Sequence, residues 1–190
     1  MCIRDSRYGG RPIEPLQILD HSGRVIYVGS FSKTLLATLR LGFLVAPAPL
    51  VAAVRRAKYL ADWHTSLPIQ AALADFIDQG LFARHLRRMR SVYQQRHEQI
   101  MESLDDRFAD HPKPVPSAAG LHVAATAPTL THEELQAVLE RASAAGVELQ
   151  PLSTFDVGPP SQPGIVLGYG AIATADIAEG LARLRRCFDG

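Results

Sequence analysis

The chain has 190 residues, 47% of them apolar, and a formal net charge of +1 at neutral pH. That length suits one domain or a domain and a half, and the near-balanced charge removes any electrostatic case for nucleic-acid binding by this segment itself. No apolar run approaches membrane-spanning length, residues 1–6 lack the apolar core of a secretory leader, and Cys2 and Cys187 form neither a disulfide framework nor a metal spacing, which suits a reducing cytoplasm.

In chain order, Tyr8 to Asp20 carries Gly9, Gly10, Pro12 and Pro15 and reads as a loop with at most a short helix. Val25 to Val28 is a predicted strand, and Leu41 to Ala46 a second, closed by Pro47 and Pro49. Near-continuous apolar strands of this kind suit a sheet covered on both faces by helices. Pro49 opens a helix to about Asp62, with Leu50, Val54, Ala57 and Ala61 on one face. Pro68 starts another, with Ile69, Leu73, Phe76 and Ile77 on one face, and Gly80 stops it. A long helix follows from Leu81 to about Phe108, with an apolar stripe through Phe82, Leu86, Met89, Tyr93, Ile100 and Leu104.

The three prolines of His111 to Pro116 mark a linker. Beyond it the pattern is strand, helix, strand, strand, helix. Gly120 to Ala125 is a strand. Thr131 and Glu134 form a capping box for a helix that ends at Gly146. Val147 to Gln150 and Ile165 to Tyr169 are strands, separated by a Gly/Pro-rich loop from Phe155 to Pro163. Thr174 is expected to cap a last helix running to about Cys187. There is no internal repeat and no low-complexity segment.

The chemistry concentrates between the first two strands, in Gly29-Ser30-Phe31-Ser32-Lys33-Thr34 followed by Arg40-Leu41-Gly42. A lysine amine can form an imine with an aldehyde. Small hydroxyls and a guanidinium fork can hold a phosphate. Lys33, with Ser30, Ser32 and Arg40, can therefore hold a phosphorylated aldehyde cofactor, which is the linkage that pyridoxal 5'-phosphate (PLP) proteins use. Thr34 reads as the first residue of the next turn. The amine must be neutral to attack the aldehyde, and partial burial together with the Arg40 charge is expected to favour that form.

Ser30 to Lys33 with Arg40 to Gly42 resembles the cofactor-lysine motif of fold-type I PLP proteins. The ordered series Tyr8-Gly9-Gly10-Arg11-Pro12, Leu16 to Asp20, Arg24 to Leu35, Gln70 to Ile77, His85 to Arg90, Ala119 to His122 and Pro151 to Ser153 resembles the MocR branch of GntR-type regulators. The resemblance runs from about Arg7 to the C-terminus. It implies an α/β fold: the C-terminal part of a fold-type I PLP-dependent transferase. Residues 7–110 would be the remnant of the large cofactor domain with its linking helix, and residues 111–190 a small α/β domain. It further implies a small amine or amino-acid ligand, a homodimer of the complete protein with Trp63-His64 near its interface, and DNA contact only through a separate N-terminal domain. Residues 1–6 are read as a non-native artefact. In the resembled family an Asp that pairs with the pyridine nitrogen and a Tyr near the ring oxygen lie just before Arg7-Tyr8, so an incomplete PLP site is expected.

A catalytic class I/II aminotransferase is the alternative. There, Lys33 freed from the cofactor would shuttle a proton. Such enzymes carry an arginine for the substrate carboxylate where this chain has Val166, which cannot make a bidentate clamp. Two phosphate-loop lookalikes fail: Tyr27 and Ser32 stand where a Walker loop needs glycine, and too little chain follows Gly168-Tyr169-Gly170 for a dinucleotide unit. The seven histidines show no metal spacing. His122 is expected to be half-buried and satisfied, and Arg84 to Arg90 to form a solvated or intersubunit helix face.

Overall fold

The computed structural model describes residues 14–108, 112–159 and 162–190. Residues 1–6, the Arg7 to Pro12 stretch and His111 of the proposed linker lie outside them. The chain divides into two compact units, Met1–Arg90 and Ser91–Gly190, with the boundary inside a long helix.

In the first unit, a short helix α1 (Leu16–Leu19) ends at Asp20. The Asp20 carboxylate accepts backbone N–H bonds from Ser22 (2.9 Å), Arg24 (2.6 Å) and Val25 (2.7 Å), which turns the chain toward the first strand. Those bonds, Val25's foremost, hold its pKa below the ordinary carboxylate value. Strand β1 (Tyr27–Ser30) then pairs antiparallel with β2 (Gly42–Val45), Tyr27 opposite Val45 and Ser30 opposite Gly42. Both strands start later than the apolar runs alone suggest, and β1 includes Ser30. The expected cover on both faces is not supplied by the described residues: Gly29 is buried, but Val28 is 68% exposed and Phe43, Leu44 and Val45 are exposed too.

Helix α2 (Ala48–Asp62) has proline in its first turn and stops at Trp63, whose φ of 63° a helix cannot continue. Its apolar face is less covered than its spacing implies, with Leu50, Ala57 and Ala61 exposed and Val54 half-buried. Helix α3 (Leu67–Asp78) again opens on proline, and Gly80 at φ 71° ends the turn after it. Helix α4 (Leu81–Arg107) follows. Arg84, Arg87, Arg88 and Arg90 are exposed on it.

The second unit is a two-layer α/β module. Strands β3 (Lys113–Pro114), β4 (His122–Thr126), β5 (Gln150–Pro151) and β6 (Gly164–Gly168) form an antiparallel sheet in the order β3-β4-β6-β5. The described end of the Pro-rich linker is thus an edge strand, where proline is tolerated. Alternation sends Val123, Ala125, Ile165 and Leu167 to the core face. Leu135, Val138 and Ala142 of α5 (His132–Ala144) and Ile177, Leu181 and Leu184 of α6 (Ile177–Asp189) are buried with them. Gly164 has no room for a side chain, because a Cβ would meet the Ala125 carbonyl oxygen at 2.6 Å.

Helix α5 begins in the predicted capping box. Thr131 Oγ1 accepts from the Glu134 N–H (3.2 Å), and the Thr131 N–H donates to the Glu134 carboxylate (2.7 Å). Thr174 does not cap α6. It starts a short 3₁₀ turn, and its hydroxyl accepts from Arg96 Nε (3.3 Å). Arg96 Nη1 also donates to the Tyr169 and Gly170 carbonyls at 3.0 Å each, and the buried Tyr169 hydroxyl donates to the Gly120 carbonyl at 2.9 Å. A tertiary guanidinium has claimed the hydroxyl that the local pattern reserves for a cap. Among the described residues no helix is long and apolar enough to cross a membrane.

His97 lies buried with its ring 5.9 Å from that of Tyr169. Burial lowers its pKa, against the Glu98 charge and a backbone hydrogen bond involving Ser117 that favour the proton. A histidine held neutral contributes fully above its ordinary value of 6.5 and loses that contribution as pH falls, because the unfolded chain takes up the proton first. Stability should therefore drop on acidification below about pH 6.5. Urea midpoints measured against pH should show a shallower acid slope for His97→Gln; an identical slope rules the residue out as a source.

Candidate functional site

The residues singled out by sequence lie on the connection between β1 and β2. Its two ends are tied where the Phe31 N–H donates to the Leu41 carbonyl at 3.0 Å, one step beyond the Ser30–Gly42 pair. Inside this closure the chain makes one helical turn, with the Leu35 N–H (2.8 Å) and the Thr34 hydroxyl (3.4 Å) both donating to the Phe31 carbonyl. A 3₁₀ turn (Ala37–Leu39) then delivers Arg40 in the left-handed region at φ 51°. Non-glycine residues are held there only by surrounding constraints, and such positions gather at functional sites.

Ser30 and Ser32 are joined directly, the Ser32 N–H donating to Ser30 Oγ at 3.1 Å. Ser30 and Arg40 flank the closing bond, so the fold brings two hydroxyls and a guanidinium to one loop. Ser30 and Arg40 are exposed and Ser32 is half-buried. Lys33 sits in the turn and is exposed. The partial burial expected for its amine is thus not provided by the described residues, because the strands that carry the loop are themselves uncovered. The donor set still fits a phosphorylated aldehyde: one amine for the carbonyl, and hydroxyls with a fork for the phosphate. Among the described residues no cluster of side chains could hold a metal ion.

Two anchors that sequence reasoning did not identify fix this loop within its unit. The Phe31 ring packs at 5.5 Å from Phe43 on β2 and at 5.7 Å, edge-on, from Phe82 on α4. One turn later, His85 Nε2 lies 3.0 Å from the Thr34 carbonyl. A carbonyl only accepts, so this nitrogen carries the proton. Lys33 is held between these contacts at Phe31 and Thr34. His85 belongs to the sequence series quoted above, but a contact across 51 positions leaves no local periodicity. An open cleft of about 510 Å³ lies beside the far end of the loop, where Leu41 and Gly42 approach Trp63 and His64. Ser30, Ser32, Lys33 and Arg40 do not line it.

In the second unit, the sheet face opposite the core carries His122 and Ala124 of β4, Val166 of β6 and Gln150 of β5, with Ala124 and Gln150 both registered on Val166. His122 is exposed rather than half-buried. Its register partner is Gly168, which offers no side chain to cover the ring. Val166 is half-buried at the centre of this face, so no guanidinium comes from that position.

Residues 6–184 match the model of the family described as aminotransferase class I and II. The chain is 39% identical over 182 residues to "Probable rhizopine catabolism regulatory protein MocR" of Rhizobium meliloti, covering 96% of this chain and 36% of that protein. It is 35% identical over 181 residues to an uncharacterized HTH-type transcriptional regulator, YhdI, of Bacillus subtilis, covering 94% of this chain and 38% of that one. Among solved structures it resembles LysN, an α-aminoadipate aminotransferase of Thermus thermophilus complexed with N-(5'-phosphopyridoxyl)-L-leucine. There the TM-score is 0.85 at 27% identity, with 99% of this chain and 48% of that one covered. The chain thus spans well under half the length of the two regulators.

Close backbone approach at Gly42 sets the separation of the loop ends: a Cβ there would meet the Gly29 carbonyl oxygen at 2.9 Å. Gly42→Ala should push β1 and β2 apart and cost about 1–3 kcal/mol by denaturant titration. A neutral result would show that the two strands are free to separate.

Proposed function

Because the chain belongs to the aminotransferase class I and II family, we propose that it is the PLP-binding, aminotransferase-like effector part of a MocR/GntR-type transcriptional regulator. Its similarity to two regulators, at 39% and 35% identity, exceeds that to the aminotransferase LysN at 27%. Val166 supports the same side. An apolar side chain stands where the catalytic relatives are expected to clamp a substrate carboxylate, so efficient turnover of ordinary amino acids lacks its anchor.

In this reading Lys33 attaches the cofactor through its amine, and Ser30, Ser32 and Arg40 hold the phosphate. The cofactor, when bound, supplies an electrophilic carbon for amines. Phe31, Phe82 and His85 keep the lysine's turn in place. The ligand is a small amine or amino acid, the complete protein is a cytoplasmic homodimer, and DNA is contacted by a separate N-terminal domain. The net charge of +1 is in keeping with a segment that leaves DNA to another part. The catalytic alternative draws on Lys33 alone, since a freed lysine amine can carry protons.

The complete protein should show the visible absorbance of lysine-bound PLP, and Lys33→Ala should abolish it. Arg40→Ala should keep the band but weaken PLP affinity by roughly 10- to 100-fold, the worth of a charge-assisted phosphate contact. Mixing with a common amino acid and a keto acid should give little turnover. Rapid transamination would overturn the regulator reading, and an unchanged band in Lys33→Ala would overturn the site.

A further inference from the structure

We propose that the open face of the C-terminal sheet is a subsite for a small amine-bearing ligand, with Glu148 as its recognition residue. This deepens the effector-domain reading and rests on it for its biological sense. The face holds a cleft of about 280 Å³ lined by His122, Glu148, Leu149, Gln150, Val166 and Gly168. Every lining residue comes from the second unit. Register places Val166 between Ala124 and Gln150, and Gly168 against His122, so the floor is apolar and the rim polar.

Glu148 is the one acidic residue of that lining, which holds no lysine or arginine, and it is exposed. The Ser143 hydroxyl donates to its Oε1 at 2.7 Å, which steadies the carboxylate without neutralising it. A carboxylate offers two oxygens with about four lone-pair sites, so acceptor capacity remains. The neighbouring cations do not serve the cleft. Arg183 is engaged by Glu179 (2.9 Å) and the Ala145 carbonyl (3.3 Å). Lys113 pairs with Thr126, four residues along β4 from His122, about 13 Å away at the rise of a strand.

An anionic ligand group entering here would meet Glu148, and among the described residues no guanidinium lines the cleft. An ammonium group would gain a charge-assisted hydrogen bond, with the Gln150 amide oxygen as a further acceptor, while its methylenes cover Val166 and Leu149. The departure at Val166 is therefore matched by a charge of the opposite sign nearby.

The test is calorimetry on the complete protein freed of PLP, so that an amine cannot react with the cofactor. The probes are 1,4-diaminobutane and succinate, equal in carbon number and opposite in charge. The diamine should bind and succinate should not. Glu148→Gln should weaken the diamine by about tenfold or more, and Val166→Arg should weaken the diamine while creating succinate binding. Succinate binding to the unaltered protein as tightly as the diamine, no binding of either probe, or a Glu148→Gln affinity within about twofold of the original overturns the proposal. PLP loading is scored separately by its absorbance. A protein that takes PLP but not the diamine sinks only the subsite, and one that takes the diamine but not PLP sinks only the cofactor reading.

Discussion

The hydrogen bond from the Phe31 N–H to the Leu41 carbonyl is the constraint on which the lysine loop depends. It holds the two ends of a nine-residue excursion together, so Ser30 and Ser32 before the lysine and Arg40 after it lie on one closed loop. Closing a loop costs entropy that grows slowly with its length. One backbone bond does not offset that cost. The aromatic contacts of Phe31 with Phe43 and Phe82 and the bond of His85 to Thr34 supply the rest, and they do so on either side of Lys33. The left-handed Arg40 fits this scheme. Its backbone strain is tolerated because the closure above it and the 3₁₀ turn below it leave the chain no other route.

The second unit reaches rigidity by a different route. Arg96 binds the carbonyls of Tyr169 and Gly170 and the hydroxyl of Thr174, while Tyr169 reaches back to Gly120. This network fastens the chain at one end of the β4–β6 pair, before β4 and after β6, with polar groups that burial would otherwise penalise. With β4 and β6 fixed in register, alternation leaves one sheet face packed and the other open. The open face is therefore a consequence of strand alternation with α5 and α6 packed on the other side.

Local chemistry was legible in the sequence, and tertiary chemistry was not. The Thr131–Glu134 box reads correctly because both partners lie within one turn. Ser30, Ser32, Lys33 and Arg40 fall on one β1–β2 connection because they are close in sequence. Thr174 misleads, since its hydroxyl goes to Arg96, 78 positions away. The strand expected at Val147 begins only at Gln150 because the preceding helix claims the intervening backbone. Gly146 turns left-handed at φ 76°, its N–H donates to the Ser143 carbonyl, and the Val147 N–H donates to the Ala142 carbonyl. That is a Schellman closure, and a residue spent on it does not pair in a sheet. His85 and Phe82 escaped for the same reason as Arg96: their roles are set by which helix comes to lie against the loop.

The exposure of Lys33 and the exposure of β1 and β2 are one observation. An isolated two-stranded ribbon is marginal in water, and this one presents Val28, Phe43, Leu44 and Val45 to solvent. Contiguous apolar surface of that kind calls for a covering partner. A partner that covers the ribbon would also remove water from the loop that it carries. The exposure of Lys33 therefore follows from the uncovered strands that carry its loop. The second unit has no such dependence, because its sheet packs against its own helices.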